Sequence, residues 1–409
     1  MLIVLSFTSF IYGLMKRIFP VLFLLLSFTS FSQGIQLSEK AQISVITLGP
    51  DPNELYAAFG HSAIRVSDSL QGIDYAYNYG VFDFNQPNFY LNFARGFLYY
   101  KLGVYSYPDF RDAYIYYNRF IHEQVLNLTQ EQKQKIFDYL HWNALPENQT
   151  YRYDYFYNNC ATKVRDVFVE VLGKEIQFDG SFIKTDYTIR ELTDLYLSPL
   201  PWGDLGIDIC LGLPMDKKAS PYEYMFLPDY IESSFINFGI RDKDILVPIV
   251  KDRITVFAAR PMESEKNLFH PWIVFGVLLI LTVLLSYRDW KKKKLSTWLD
   301  IILFLTVGLV GLLLLLLWTA TDHKAAANNF NLLWAFPFHL IAAFLLLKKG
   351  VVKWLPGYFK ATAIILAATL VMWSLIPQQL NIFLLPIVAT LIIRSLLISK
   401  LLYEKTITS

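Results

Sequence analysis

Cysteine is almost absent. The 409-residue chain has two, Cys160 and Cys210, which excludes a disulfide-built scaffold and a centre made of several thiolates. No C-x-x-C pair and no H-E-x-x-H helix occurs, so the sequence implies no metal and no other cofactor. Charge is scarce as well. Charged residues make up 18% of the chain and the formal net charge is +2; the basic residues sit beside apolar runs rather than in a patch of their own, which argues against nucleic acid as a partner. What fills the space is apolar: 54% of residues are hydrophobic, more than a soluble domain carries, so part of the chain belongs in lipid. The chain also has 26 Tyr, many of them crowded between Tyr75 and Tyr157. A tyrosine-rich sheet accounts for this, and so does a domain resting against lipid head groups.

The apolar residues are unevenly distributed. Lys16-Arg17, the apolar stretch from Ile18 to Phe31 and the small residues around Ser32 have the order of a signal peptide, giving residues 1–33 as a removed segment. Residues 34–267 have the turn residues and charge density of one extracytoplasmic domain, long enough to bury a full core. Residues 268–409 are different. Apolar runs at 268–287, 298–320, 332–347, 361–376 and 382–402 are each near the roughly 20 residues that cross a bilayer, which predicts an all-α membrane domain of about five transmembrane helices. Arg288 and Lys291 to Lys294 follow the first run, and Lys348, Lys349, Lys353 and Lys360 separate the third from the fourth. Positive loops stay cytoplasmic, so the domain before residue 268 and the loop at 319–331 face outward.

The outer domain reads as α+β. Gln42 to Leu48 is a strand ended by Gly49-Pro50-Asp51-Pro52, and His61 to Ser67 is a second, with His61, Ala63 and Arg65 on one face. In Tyr75 to Gly80 the period of two puts Ala76, Asn78 and Gly80 together. A hairpin turn centred between Ser69 and Leu70 sets His61 opposite Asn78 on a shared face. Thr129-Gln130-Glu131-Gln132 is a capping box that opens a helix. After Asn158-Asn159 an apolar stripe at Val164, Val167, Phe168, Val171 and Leu172 stops at Gly173, which places Cys160 at a helix start with an asparagine cap. The partial positive charge and free N–H groups of such a start lower a thiol pKa and can hold an oxyanion. With thiolate Cys160, base His61 and the Asn78 amide orienting the imidazole, the three form a nucleophilic triad. Two further readings of the same cysteine stand beside this one: a disulfide with Cys210, or an inert core thiol.

Four segments carry a resemblance: Phe59-Gly60-His61-Ser62-Ala63-Ile64-Arg65, Tyr77-Asn78-Tyr79-Gly80, Asn158-Asn159-Cys160-Ala161-Thr162 and Leu211-Gly212-Leu213-Pro214-Met215-Asp216-Lys217. Histidine strand, polar strand and Asn-Cys helix in this order resemble a circularly permuted papain-like domain, a fold shared with lipid acyltransferases of the lecithin-retinol type. Together with the multi-span tail, the set is similar to the Lnb-type lipoprotein N-acyltransferases. The resemblance implies an inner-membrane enzyme with its catalytic domain in the periplasm. It would move an acyl chain from a phospholipid, through a thioester on Cys160, to the α-amine of a diacylated lipoprotein. Cys160, His61 and Asn78 are then catalytic, and Cys210 is structural. For substrate binding, the expected residues are Asn159 and, in the outward loop, His323, Asn328 and Asn331; an ordinary solvated loop is the alternative for the last three. A membrane-anchored thiol peptidase or amidase is the competing activity for the same triad.

Overall fold

The computed structural model describes residues 34–408 apart from 52, 243–244, 262–268, 349 and 351. The expected signal segment and the expected domain boundary at 267–268 lie outside the described residues.

The outer domain is built on an antiparallel sheet of seven strands: β1 (Gln42–Leu48), β2 (His61–Asp68), β3 (Ile73–Val81), β4 (Leu98–Ser106), β5 (Ile121–Leu126), β6 (Thr150–Tyr153) and β7 (Val250–Phe257). Their spatial order is β7-β5-β1-β2-β3-β4-β6. The nearly unbroken burial of β1 suits a central strand covered on both faces. Ile43, Val45, Ile64, Val66, Tyr77 and Tyr79 face the larger core, while Ile46, Leu48, Ala63 and Ala76 face a smaller one closed by Tyr107 and Phe110. His61 therefore shares the smaller-core face with Ala63 and Arg65.

Helices cover both faces: α1 (Phe89–Arg95), α2 (Tyr107–Tyr116), α3 (Gln130–Asn143), α4 (Cys160–Leu172), α5 (Ile189–Leu197), α6 (Pro201–Cys210) and α7 (Pro228–Asn237). The capping box at Thr129 forms as expected, with Thr129 Oγ1 accepting from Gln132 N and Gln132 Oε1 accepting from Thr129 N. Helix α4 drives Ala161, Val164, Val167 and Phe168 into the larger core, the stripe its sequence period required.

Beyond the outer domain come α8 (Pro271–Lys292), α9 (Thr297–Thr319), α10 (His339–Leu345), α11 (Leu355–Val371) and α12 (Leu385–Thr408). Among the described residues, three helices are long and apolar enough to cross a membrane: α8, α9 and α12 with the turn before it. The fourth expected run forms the shorter, 17-residue α11. The third departs from the expectation. Instead of one helix over 332–347 there is a single turn at Phe330–Leu333 and then the seven-residue α10, about 10 Å long at 1.5 Å per residue. Pro337 has no N–H to continue a helix, and Asn331 is drawn out of the helical pattern to hold backbone carbonyls of α6. At the positively charged end of the spans, fully buried Arg394 of α12 makes a two-pronged pair with Asp300 of α9 (2.6 and 2.9 Å) and reaches Asp289 of α8 at 3.2 Å. One guanidinium thus ties three membrane helices together.

A second buried guanidinium ties the two halves of the chain. Arg190 of α5, with no solvent exposure, donates to Asp208 of α6 (2.8 Å) and to both oxygens of Asp216 (3.0 Å each). Asn381, just before α12, donates to Asp208 Oδ2 and Asp204 Oδ2, and Gln379 N donates to Asp216. Gly212 of the Leu-Gly-Leu-Pro segment is required by close approach: a Cβ there would sit 1.9 Å from Ala327 O, and its N–H donates to Ala325 O. Replacing Arg190 with Ala leaves Asp208 and Asp216 buried without a counter-charge, which costs about 3–5 kcal/mol and lowers Tm by on the order of 10 °C. Thermal unfolding of the full-length protein in detergent checks this.

Candidate active site

His61 opens β2 and lies opposite Leu48, the last residue of β1. The β2–β3 register differs from the expected one by two residues. Ile64 pairs with Tyr77 and Asp68 with Ile73, because the turn takes four residues, Ser69 to Gly72, and Gly72 closes it at φ +65°. Extending that register puts Gly80, not Asn78, across from His61. The two side chains nevertheless meet along the diagonal of their shared face, with His61 Nε2 and Asn78 Oδ1 2.5 Å apart. Since Oδ1 can only accept, Nε2 carries the proton, and Nδ1 is left free to take one.

Gly80 explains how a helix start reaches this strand. The β3–β4 register shifts between Asn78 and Val81, a bulge in which Gly80 adopts φ +93°. A Cβ on Gly80 would lie 3.6 Å from Cys160 Cβ and 4.0 Å from His61 Cε1. A Cβ at those distances would be in ordinary contact with both, so the positive φ, and not a lack of room, calls for glycine where Cys160 meets the strand. Cys160 itself is the first residue of α4, held there by a reciprocal cap: Asn159 Oδ1 accepts from Thr162 N (2.9 Å) and Thr162 Oγ1 accepts from Asn159 N (2.7 Å).

The electrostatics of the pair follow from these neighbours. Burial pushes the Cys160 thiol up, but the charge and hydrogen bond of His61, with backbone N–H groups of Ser62 and Ala161, outweigh it and leave the pKa below the ordinary thiol range. Burial likewise pushes His61 down, and the charge and hydrogen bond of Cys160 with the hydrogen bond of Asn78 overcome it, so the imidazole stays protonated above its usual range. Both shifts run in the direction that favours a thiolate–imidazolium pair over two neutral groups.

The structure brings Cys160, His61 and Asn78 together; the other expected site residues have their polar atoms elsewhere. Asn159 is buried, its Oδ1 in the cap and its amide donating to Tyr155 O and Phe226 O, so it positions Cys160 through the backbone. Asn331 is also buried, donating to Asp208 O and Ile209 O and accepting from Trp334 Nε1. His323 Nε2 donates to Phe93 O, and Asn328 is exposed with a left-handed backbone, φ +52°. The outward loop therefore braces the outer domain rather than standing free in solvent. Both cysteines are free thiols. Cys210 packs on the membrane-domain core, and burial pushes its thiol up, which keeps it protonated and unreactive.

Two site residues escaped the sequence reading. Tyr114 of α2 stacks on His61, with centroids 6.4 Å apart and planes at 13°. Arg119 lies over the Tyr114 ring at 4.6 Å and donates from Nε to Gly49 O at 2.6 Å. No local pattern marks either of them, since α2 reaches the site only through its packing on the sheet.

Alkylation of Cys160 by iodoacetamide in a Cys210→Ala protein is expected to have its pH midpoint below the ~8.5 of a free thiol. With His61→Ala the midpoint moves above that value, because burial persists after the counter-charge is gone. A midpoint unmoved by His61→Ala would refute the ion pair.

Residues 36–194 match the family described as the Lnb N-terminal periplasmic domain, and residues 263–406 the one described as the Lnb transmembrane domain. No curated protein and no solved structure matches the chain. A periplasmic domain of this kind on a membrane domain of this kind, in this order, means that the chain belongs to the Lnb family of N-acyltransferase type.

Proposed function

We propose that this protein is an inner-membrane lipoprotein N-acyltransferase that works through a thioester on Cys160, with His61 as acid and base and Asn78 as the group orienting it. The observation that carries the reading is the meeting of a capped helix-start thiol, an oriented imidazole and a side-chain-free glycine, in a domain fastened to membrane helices. In the first step the Cys160 sulfur attacks an ester carbonyl of a phospholipid. The oxyanion forms beside the N–H groups of the first turn of α4, which have no acceptor within the helix. The ester C–O bond breaks, the His61 imidazolium gives its proton to the departing alkoxide, and a lysophospholipid leaves. In the second step the neutral α-amine of a diacylated lipoprotein attacks the thioester carbon. Its surplus proton passes to His61, the C–S bond breaks, and the amide product leaves Cys160 as the thiolate.

Arg119 fits the donor side of this scheme. Its contacts among the described residues are the Gly49 carbonyl and the Tyr114 ring, with no carboxylate, and its charge works against the protonation of His61. The Cys160 thiolate can balance only one of these two positive charges, and a phospholipid brings a phosphate for the other. Arg119→Gln is expected to raise KM for the phospholipid about tenfold or more, the loss of a hydrogen bond to a charged group. It should also move the high-pH limit of activity upward, since the imidazolium is retained to higher pH without the Arg119 charge. Steady-state kinetics across pH check both.

The decisive test is mass spectrometry of lipoprotein N-termini in cells depleted of their own N-acyltransferase. Triacylated termini are expected with the native chain and not with Cys160→Ala or His61→Ala, while Cys210→Ala keeps activity. Diacylated termini in every case would favour a thiol peptidase or amidase.

A further inference from the structure

The stretch between β3 and β4 is apolar where a soluble protein would be polar. Phe84 is 59% exposed, Tyr90 75%, Leu91 57% and Phe93 41%. These side chains form one patch, as the ring centroids of Phe82 and Phe84, and of Phe84 and Phe89, are 5.0 Å apart, and those of Phe89 and Tyr90 5.3 Å. Such a contiguous patch on the surface calls for an apolar partner.

Its position says which partner. Helix α1, which carries Tyr90, Leu91 and Phe93, is bound to the outward loop: Asp322 N donates to Arg95 O (2.9 Å), His323 Nε2 donates to Phe93 O (3.1 Å), and Arg152 pairs with Asp322. Asp322 is only three residues after Thr319, the last residue of membrane helix α9, a reach of roughly 10 Å at most. The patch is thus held at the level where α9 leaves the bilayer. Around it are Asn85, Gln86, Asn88 and Asn92, a mixture of amide and aromatic groups suited to the head-group layer.

The patch also leads inward. Phe82 contacts Tyr100 at 5.2 Å between centroids, Tyr100 stacks on Tyr153 at 4.3 Å, and Tyr153 Cε2 lies 3.6 Å from the empty Cβ position of Gly80, the same distance as Cys160 Cβ. This row of rings runs from the exposed patch to the thiol, ring against ring, with the hydroxyls of Tyr100 and Tyr153 as its polar groups.

We propose that residues 82–93 lie in the outer-leaflet interface and admit an acyl chain from the bilayer, and that Phe82, Tyr100 and Tyr153 guide it to Cys160. The membrane-contact part stands by itself; the guide part rests on the acyl-transfer reading above. An acyl chain drawn out along aromatic walls avoids the exposure of each CH2 group to water, which a site merely near the membrane would incur.

Two measurements on the full-length protein in phosphatidylethanolamine/phosphatidylglycerol vesicles test this, and neither requires acyl transfer. In a Cys160→Ala, Cys210→Ala background, a fluorophore is attached at Tyr90→Cys or, at the far end of the sheet, at Glu39→Cys. The Tyr90 label is expected to be quenched several-fold more strongly than the Glu39 label by 5-doxyl lipid and to be shielded from aqueous iodide. Equal iodide quenching of both would overturn the membrane contact. In a Cys210→Ala protein, Cys160 is then alkylated by a long-chain maleimide dissolved in the bilayer or by iodoacetamide from water. Phe82→Asp with Phe84→Asp is expected to slow the lipid-borne reagent about tenfold and to leave the aqueous one unchanged. An equal fall for both reagents, or no fall for either, would overturn the guide. Failure of lipoprotein acylation with both of these results intact would instead count against the transferase reading alone.

Discussion

Arg190 is a charge with no water, and a large part of this molecule is arranged to make that tolerable. The side chains of its partners Asp208 and Asp216 are themselves nearly shielded from water, Asp208 is shared with Asn381 of the membrane domain, and Asp216 with the backbone of Gln379. Asp194 and Asp204 are drawn into the same cluster, where burial pushes their carboxyls up to about 8 and about 6. A network of this kind adds little net stability over an apolar contact but is specific: each hydrogen bond is satisfied in one relative position of the two domains and lost in others. The outer domain is therefore fixed on its membrane domain, and its height above the ends of the membrane helices is fixed with it.

That fixed height gives the thiol its meaning. A lone cysteine at a helix start is common, and a histidine at the start of a strand is common. Here the two meet beside a bulge in β3 where Gly80 takes a positive φ that other residues rarely adopt. Burial alone would favour neutral thiol and neutral imidazole. Mutual attraction, the Asn78 carbonyl oxygen and two backbone N–H groups oppose it, lowering the thiol and raising the imidazole, the direction that favours a reactive and well-oriented thiolate.

The membrane domain follows the same economy of a few buried polar groups. Arg394 gathers α8, α9 and α12 at one end, while the broken segment around α10 gives up helical hydrogen bonds to bring Asn331 and Trp334 into the junction with α6. Irregular backbone at such depth is stable only where protein surrounds it, and Asn331, Trp334 and Ala335 are all buried.

What the sequence by itself determined is whatever depends on neighbours along the chain. The caps at Thr129 and Asn159, the apolar stripe of α4, the alternation that puts His61 and Asn78 on one face, and the three long apolar helices of the membrane domain all arise from interactions within a few residues, and all are present. The tertiary structure decided what depends on distance. A turn of four residues instead of the expected centre moved the β2–β3 register by two, and only the diagonal reach of the side chains kept His61 and Asn78 in contact. Tyr114 and Arg119 joined the site because α2 folds back over the sheet, and the Asn331 amide was drawn to the end of α6 because the carbonyls there take a donor. Local sequence carries no record of such partners, because the energy that selects them, burial of polar groups against their complements, exists only after the chain has closed on itself.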